Sequence, residues 1–69
     1  MQKIKITVNG KVFEAESGTT IEGLAGLLKL NPKRCLVEYN GRAMNYEGFR
    51  DIVLKEGDKL EIMSLVAGG

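Results

Sequence analysis

The sequence predicts a two-layer α+β domain, a mixed sheet of about five strands packed on one main helix. Three observations predict it. Asn9-Gly10 separates two stretches of alternating residues, as a tight hairpin turn does. One segment, Ile21 to Leu28, repeats apolar residues at helical spacing. Short strand-like runs follow it, and one helix cannot cover both faces of the sheet they would form.

The hairpin spans Lys3 to Glu16. With Asn9-Gly10 as its turn, Val8 faces Lys11, Ile6 faces Phe13 and Ile4 faces Ala15. On the opposite face Lys5 meets Glu14 and Lys3 meets Glu16. One face is thus mostly apolar and the other carries opposite charges, which a slipped register would mix. The Lys–Glu rows read as a solvated face of little energetic weight.

Ser17-Gly18 breaks the second strand. Thr19-Thr20-Ile21-Glu22 then has the spacing of a capping box, with Thr19 as N-cap and Glu22 at the third helical position. Ile21, Leu24, Ala25 and Leu28 form one apolar stripe. Gly23 and Gly26 weaken this helix by about 1 kcal/mol each relative to Ala, so it depends on packing against the sheet. Asn31-Pro32 is the expected stop, since a residue before proline resists helical geometry.

Cys35 to Tyr39 alternates as a third strand, and Asn40-Gly41 offers a second tight turn into a short strand at Arg42 to Met44. Asn45 to Asp51 reads as irregular, anchored to the core by Tyr46 and Phe49. Ile52 to Leu54 leads into the polar turn Lys55 to Asp58, and Lys59 to Ser64 is the last strand. The core candidates are Ile4, Ile6, Phe13, Ile21, Leu24, Leu28, Val37, Leu54, Leu60 and Ile62. Leu36, Met44 and Met63 are expected on the outer sheet face. The first and last strands should run parallel.

Composition narrows the function. The chain has 69 residues, which suits one domain, and its 43% hydrophobic content supports a single core. Ten basic against nine acidic residues leave a net charge of +1, a field too weak to recruit nucleic acid or an anionic membrane. No apolar run is long enough to span a bilayer. The single cysteine, Cys35, excludes an internal disulfide and fits a reducing cytoplasm. Histidine is absent, which removes Ser-His-Asp and Cys-His nucleophile pairs and imidazole metal sites. No glycine-rich phosphate loop of either common pattern occurs. An independent enzyme is not expected.

In this order and spacing, ITVNGKVFE, GTTIEGLAGLL, VEYNGR, LKEGDKLEI and the closing VAGG resemble the ThiS family of sulfur-carrier proteins over essentially the whole chain. The resemblance implies a ubiquitin-like β-grasp domain over residues 1–64 and a flexible tail over residues 65–69. It implies that the Gly69 carboxylate is the reactive group. A ThiF-type enzyme adenylates it with ATP, and sulfur passed as a persulfide from a donor such as a cysteine desulfurase replaces AMP, leaving a thiocarboxylate. A ThiG-type thiazole synthase then takes the sulfur for the thiazole ring of thiamin. Leu65, Val66, Ala67 and Gly68 would enter the partners' sites. The carrier would be a co-substrate with no bound cofactor or metal. Many relatives carry a Pro-Arg where this chain reads AMNYEGF, so the pathway stays open: related carriers serve molybdopterin, cysteine or methionine synthesis, and the same tail serves ubiquitin-like protein modifiers. A β-grasp interaction module with an incidental tail is the third reading.

The chemistry explains the tail. A carboxylate is a poor electrophile until adenylation supplies a leaving group. The carrier's own task is to present a thin chain end. Glycine lacks a Cβ, so a partner can close around it, and the five residues from Leu65 reach about 16 Å when extended. Cys35 reads as a small apolar residue at a strand start. The alternative is a thiol that holds sulfur, with Lys33 and Arg34 adjacent.

Overall fold

Asn9 and Gly10 both take positive φ, 51° and 83°, the geometry a two-residue hairpin turn requires. The strands they join, β1 (Lys3–Val8) and β2 (Lys11–Glu16), pair antiparallel in the expected register, with Ile6 opposite Phe13 and Lys5 opposite Glu14. The structure, a computed structural model, describes residues 2–65. Ile6, Val8 and Ala15 are buried on one face of this hairpin, whereas Val12 on the other is 74% exposed. Both ion pairs among the described residues are made by Arg50, with Glu47 and Asp51.

The helix α1 (Ile21–Leu27) buries Ile21, Leu24 and Ala25 against the sheet. Its N-cap is Thr20, not Thr19: the Gly23 N–H donates to Thr20 Oγ1 at 3.0 Å. The reason lies in the chain that crosses in front of the helix. The Thr19 carbonyl accepts from the Leu54 N–H at 2.8 Å, and Ile52 accepts from the Ile21 N–H at 2.9 Å. These bonds hold Thr19 and Thr20 extended, so the first helical residue is Ile21. Glu22 therefore completes no capping box and accepts a hydrogen bond from the Tyr46 hydroxyl at 2.6 Å instead.

The helix also stops earlier than Asn31-Pro32 suggests. Lys29 takes a left-handed φ of 62°. Its N–H donates to the Gly26 carbonyl at 3.0 Å and the Leu30 N–H to Ala25 at 2.9 Å, the two bonds of a Schellman termination with lysine where glycine is usual. Asn31-Pro32 instead opens a separate 3₁₀ turn, Pro32–Arg34, capped by Asn31 Oδ1 on the Lys33 N–H at 3.1 Å.

Strands β3 (Cys35–Tyr39) and β4 (Arg42–Met44) form a second hairpin about Asn40-Gly41, whose φ values are 49° and 89°. The segment after it is not wholly irregular. Tyr46–Phe49 makes one helical turn, α2, fixed by a fully buried Phe49 and by Tyr46, whose ring meets Phe49 edge-on with centroids 5.8 Å apart. Strand β5 (Lys59–Ser64) closes the sheet.

The strand order is β2-β1-β5-β3-β4. β5 lies in the centre, parallel to β1 and antiparallel to β3. The core between sheet and α1 contains Ile6, Ile21, Leu24, Val37, Leu54, Leu60 and Ile62 as expected, and adds Val8, Ala15, Ala25, Cys35 and Phe49. Ile4, Phe13 and Leu28 are half-buried at its rim. Leu36 and Met63 lie opposite one another on the outer face. Met44 does not: it pairs with Val37 and packs against the core, because its register places it on the inner side.

Candidate functional site

The candidate site is the place where β5 leaves the sheet. β1 ends at Val8, opposite Leu60, because the chain turns at Asn9-Gly10. Beyond that point the Asn9 side chain substitutes for a strand. Its Oδ1 accepts from the Ile62 N–H at 2.7 Å and its Nδ2 donates to the Ile62 carbonyl at 3.3 Å. On the other side β3 accompanies β5 to its end, with Cys35 opposite Ser64, and the Leu65 N–H donates to the Arg34 carbonyl at 2.6 Å. The last described residue is thus fixed at the corner between the 3₁₀ turn and β3.

A shallow groove of about 440 Å³ opens at this corner. Lys33, Cys35, Leu36, Asn45, Tyr46, Glu47 and Leu65 line it. Leu65 is 57% exposed. Two of the titratable groups here, Cys35 and Tyr46, are tied into the fold. Cys35 is 2% exposed, its thiol donates to the Asn31 carbonyl at 3.2 Å, and burial pushes its pKa above the ordinary value of 9.0. The Tyr46 hydroxyl is likewise raised, chiefly by its hydrogen bond to Glu22. Among the described residues, no three His, Cys, Asp or Glu side chains gather where they would hold a metal. What the corner provides is apolar contact and a fixed exit for the chain.

At the opposite end of β5 a polar cluster anchors the strand. Asp58, 7% exposed, accepts from the Tyr39 hydroxyl at 2.7 Å, the Lys55 N–H at 2.8 Å and Asn40 Nδ2 at 3.2 Å. Burial alone would raise its pKa, but these donors together hold it below the ordinary 3.8. The same bond, followed by burial and the Asp58 charge, lifts Tyr39 to about 12. No sequence signal distinguished Asp58 from other turn aspartates.

Of the residues the sequence nominates for function, Leu65 stands at the exit of β5. Val66, Ala67, Gly68 and Gly69 lie outside the described residues. Local sequence does not point to Leu36 and Tyr46 as neighbours of the tail: the β3–β5 pairing brings Leu36 there and the α2 turn brings Tyr46.

The ThiS family pattern matches residues 6–69. The chain belongs to the ThiS family. The crystal structure of the thiamine biosynthesis protein ThiS from Geobacter metallireducens superposes with a TM-score of 0.76 at 29% identity, covering 96% of this chain and 100% of that one. The ThiS fold, a β-grasp, is therefore the architecture described above. A thiazole synthase of Magnetococcus marinus is 36% identical over 66 residues, 96% of this chain and 20% of that protein. The thiazole synthase of Paramagnetospirillum magneticum is similar over the same share, at 29% identity. This ThiS chain thus spans about a fifth of the length of those two relatives. It also matches ycf40, an uncharacterized protein of Pyropia yezoensis, at 32% identity over 96% of this chain and 93% of that protein. No helix among the described residues is long and apolar enough to cross a membrane.

Proposed function

We propose that this ThiS-family chain carries sulfur as a thiocarboxylate on Gly69 and donates it to thiazole formation in thiamin synthesis. The observation that carries the reading is the extent of the family match, which runs through Gly68 and Gly69. Two further observations support it. Thiazole synthases contain a segment similar to this chain. The chain also leaves the sheet from its central strand, at a corner fixed by the Arg34–Leu65 bond, so a partner that grips the body knows where the end begins.

The steps follow from carboxylate chemistry. A ThiF-type enzyme, using ATP, converts the Gly69 carboxylate to an acyl adenylate, and AMP becomes the leaving group. The terminal sulfur of a persulfide donor such as a cysteine desulfurase displaces AMP to give an acyl disulfide, and a thiol then cleaves its S–S bond, releasing the thiocarboxylate and leaving the donor sulfur in a disulfide. A ThiG-type synthase then consumes the thiocarboxylate. Leu65, Val66, Ala67 and Gly68 would be the residues these partners bind, with Ala67 and Gly68 presenting little bulk next to the reacting carboxylate. The domain would comprise residues 1–64 and the tail residues 65–69. The carrier binds no cofactor of its own in this scheme, and it works in the reducing cytoplasm.

The test is the intact mass of the full chain after incubation with a ThiF-type enzyme, ATP, a persulfide donor and a thiol reductant. The expected result is a gain of about 16 Da, as a sulfur nucleophile replaces one carboxylate oxygen. Deleting Gly69, or Gly68→Val, should abolish the gain and leave the thermal midpoint unchanged. No gain with the wild-type chain overturns the reading. A gain that a molybdopterin-type acceptor, but no thiazole synthase, consumes moves the carrier to another pathway. High-mass adducts on lysine amines in cells indicate a protein modifier.

A further inference from the structure

Two of the chain's four asparagines, Asn9 and Asn40, are followed by glycine. That dipeptide carries a reaction of its own. The glycine backbone nitrogen attacks the asparagine side-chain carbon Cγ. A new N–Cγ bond forms, the nitrogen gives up its proton, ammonia leaves and a cyclic succinimide closes. Water then opens the ring. Addition at Cγ gives aspartate, and addition at the main-chain carbonyl gives isoaspartate, in which the chain runs through the former side chain. Nothing is oxidised or reduced, and water is the co-reactant. Glycine favours the step because no Cβ shields its nitrogen. The other two asparagines lack this advantage. Asn31 precedes Pro32, which has no N–H to give up, and Asn45 precedes the bulky Tyr46.

The fold opposes the reaction at both turns by the same means. Asn9 Oδ1 accepts from the Ile62 N–H at 2.7 Å, and its Nδ2 donates to the Ile62 carbonyl at 3.3 Å. Asn40 Oδ1 accepts from the Lys59 N–H at 2.8 Å, and its Nδ2 donates to Asp58 Oδ1 at 3.2 Å. Each amide is held at both ends, and turning Cγ toward the glycine nitrogen breaks both bonds. The two latches differ in strength. Asn40 Nδ2 donates to a carboxylate, and a charge-assisted bond is about twice as strong as a neutral one. Asn9 Nδ2 donates to a backbone carbonyl over the longest of the four distances.

Conversion of Asn9 would act on β5. The pairing of β1 with β5 runs only to Val8 and Leu60, so the Asn9 amide is what holds Ile62 on that side. Aspartate in its place keeps an acceptor for the Ile62 N–H but sets an oxygen, not a donor, against the Ile62 carbonyl. Isoaspartate adds a main-chain carbon to the turn that fixes the β1–β2 register. We propose that Asn9 is a latent site of hydrolytic modification, latched by Ile62, and that its conversion unfastens β5 near the end of the strand, where the chain leaves the sheet. The reaction proceeds only from conformers in which the latch is open, so its rate in the folded chain reports that local opening.

The full chain is aged at mildly alkaline pH in buffer and in unfolding guanidinium chloride. Proteolytic peptides are then resolved by chromatography and mass spectrometry into asparagine, aspartate and isoaspartate forms. Protection at each site is the ratio of the unfolded to the folded rate. In denaturant, Asn9 and Asn40 should convert at similar rates and well ahead of Asn45. In buffer both should slow, Asn9 by about tenfold or more and Asn40 further still. Equal rates at Asn9 in the two conditions overturn the latch, and stronger protection at Asn9 than at Asn40 overturns the choice of site. Asp58→Asn, which replaces the charged acceptor of Asn40 by a neutral one, should bring the two protections together. An unchanged ratio between them in the folded variant overturns the assignment of protection to the side-chain bonds. Asn9→Asp supplies the aspartate product directly. It should speed hydrogen exchange of the Ile62 amide by about tenfold and affect the Glu38 amide, on the β3 side of the sheet, much less. An Ile62 amide that exchanges at the wild-type rate overturns the release of β5.

Discussion

Asn9 and Asn40 grip the same strand from its two sides. Asn9 Oδ1 accepts from the Ile62 N–H at 2.7 Å on the β1 side of β5, and Asn40 Oδ1 accepts from the Lys59 N–H at 2.8 Å on the β3 side. Each residue also sits at positive φ in its own hairpin turn. The two turns therefore do more than reverse the chain. They complete the hydrogen bonding of the central strand where its neighbours stop.

Replacing either asparagine by glycine separates these two roles. Glycine keeps the left-handed turn geometry and loses the side-chain acceptor. Asn9→Gly leaves the partly buried Ile62 N–H and carbonyl without their partner, which should cost about 1–3 kcal/mol. Asn40→Gly should cost a similar amount, since it also removes a donor to Asp58. Urea unfolding measures both. A change below a few tenths of a kcal/mol would mean that water replaces the amide at no cost.

The helix carries two residues that are not optimal where they stand. A Cβ at Gly26 would meet nothing within 4 Å, so Gly26→Ala should stabilise the fold by about 1 kcal/mol. Lys29 holds a left-handed φ of 62°, which costs a side-chain-bearing residue roughly 1 kcal/mol. Lys29→Gly should recover part of this, offset by the extra freedom of glycine in the unfolded chain. Thermal midpoints should rise for both, and for Gly26→Ala more than for Lys29→Gly.

Asp58 and Tyr39 give stability an acid and an alkaline limb. The folded pKa of Asp58 lies below the ordinary 3.8, so its contribution is complete above the unfolded value and is lost as pH falls through the folded one. Tyr39 is raised from 10.0 to about 12. Its contribution is complete below about pH 10 and disappears as pH rises through 12. Stability attributable to this pair should be flat from roughly pH 5 to 9. Tyr39→Phe should flatten the alkaline limb and shift the acid limb upward, because Asp58 loses its hydroxyl donor. An alkaline limb unchanged in Tyr39→Phe would show that another group produces it.

Several of these features were legible in the sequence and several were not, for physical reasons. Both Asn-Gly turns announce their backbone geometry, and the β1–β2 register follows from the turn and the sorting of Ile6, Phe13, Lys5 and Glu14. The partners of the Asn9 and Asn40 amides could not be read, because they lie on β5, far along the chain. Thr19 and Thr20 are equivalent as caps in local terms; the crossing of Ile52 to Leu54 decides between them. The stop at Lys29 is hidden because lysine is a poor left-handed residue, while Pro32 gives a louder signal three residues later. A four-residue turn such as α2 is too short for periodicity and depends on burying Phe49 and on the Tyr46–Glu22 bond. For the tail, the sequence names the residues and the resemblance names the chemistry.

Cys35 supplies the last prediction. It sits next to the exit of β5, opposite Ser64 and near Leu65, where a sulfur-relaying thiol would be well placed. Its environment argues for packing. The side chain is 2% exposed, its S–H is donated to the Asn31 carbonyl at 3.2 Å, and burial raises its pKa above 9.0. A reactive cysteine needs the opposite: access and a stabilised thiolate. Native protein should therefore react with a bulky thiol reagent only as fast as the β3 region opens, and urea should accelerate labelling strongly. Cys35→Ala should cost about 1 kcal/mol of stability and retain the full sulfur-dependent mass gain. If the folded Cys35→Ala chain lost that gain, or if native labelling matched that of the unfolded chain, the thiol would belong to the transfer chemistry and not to the core.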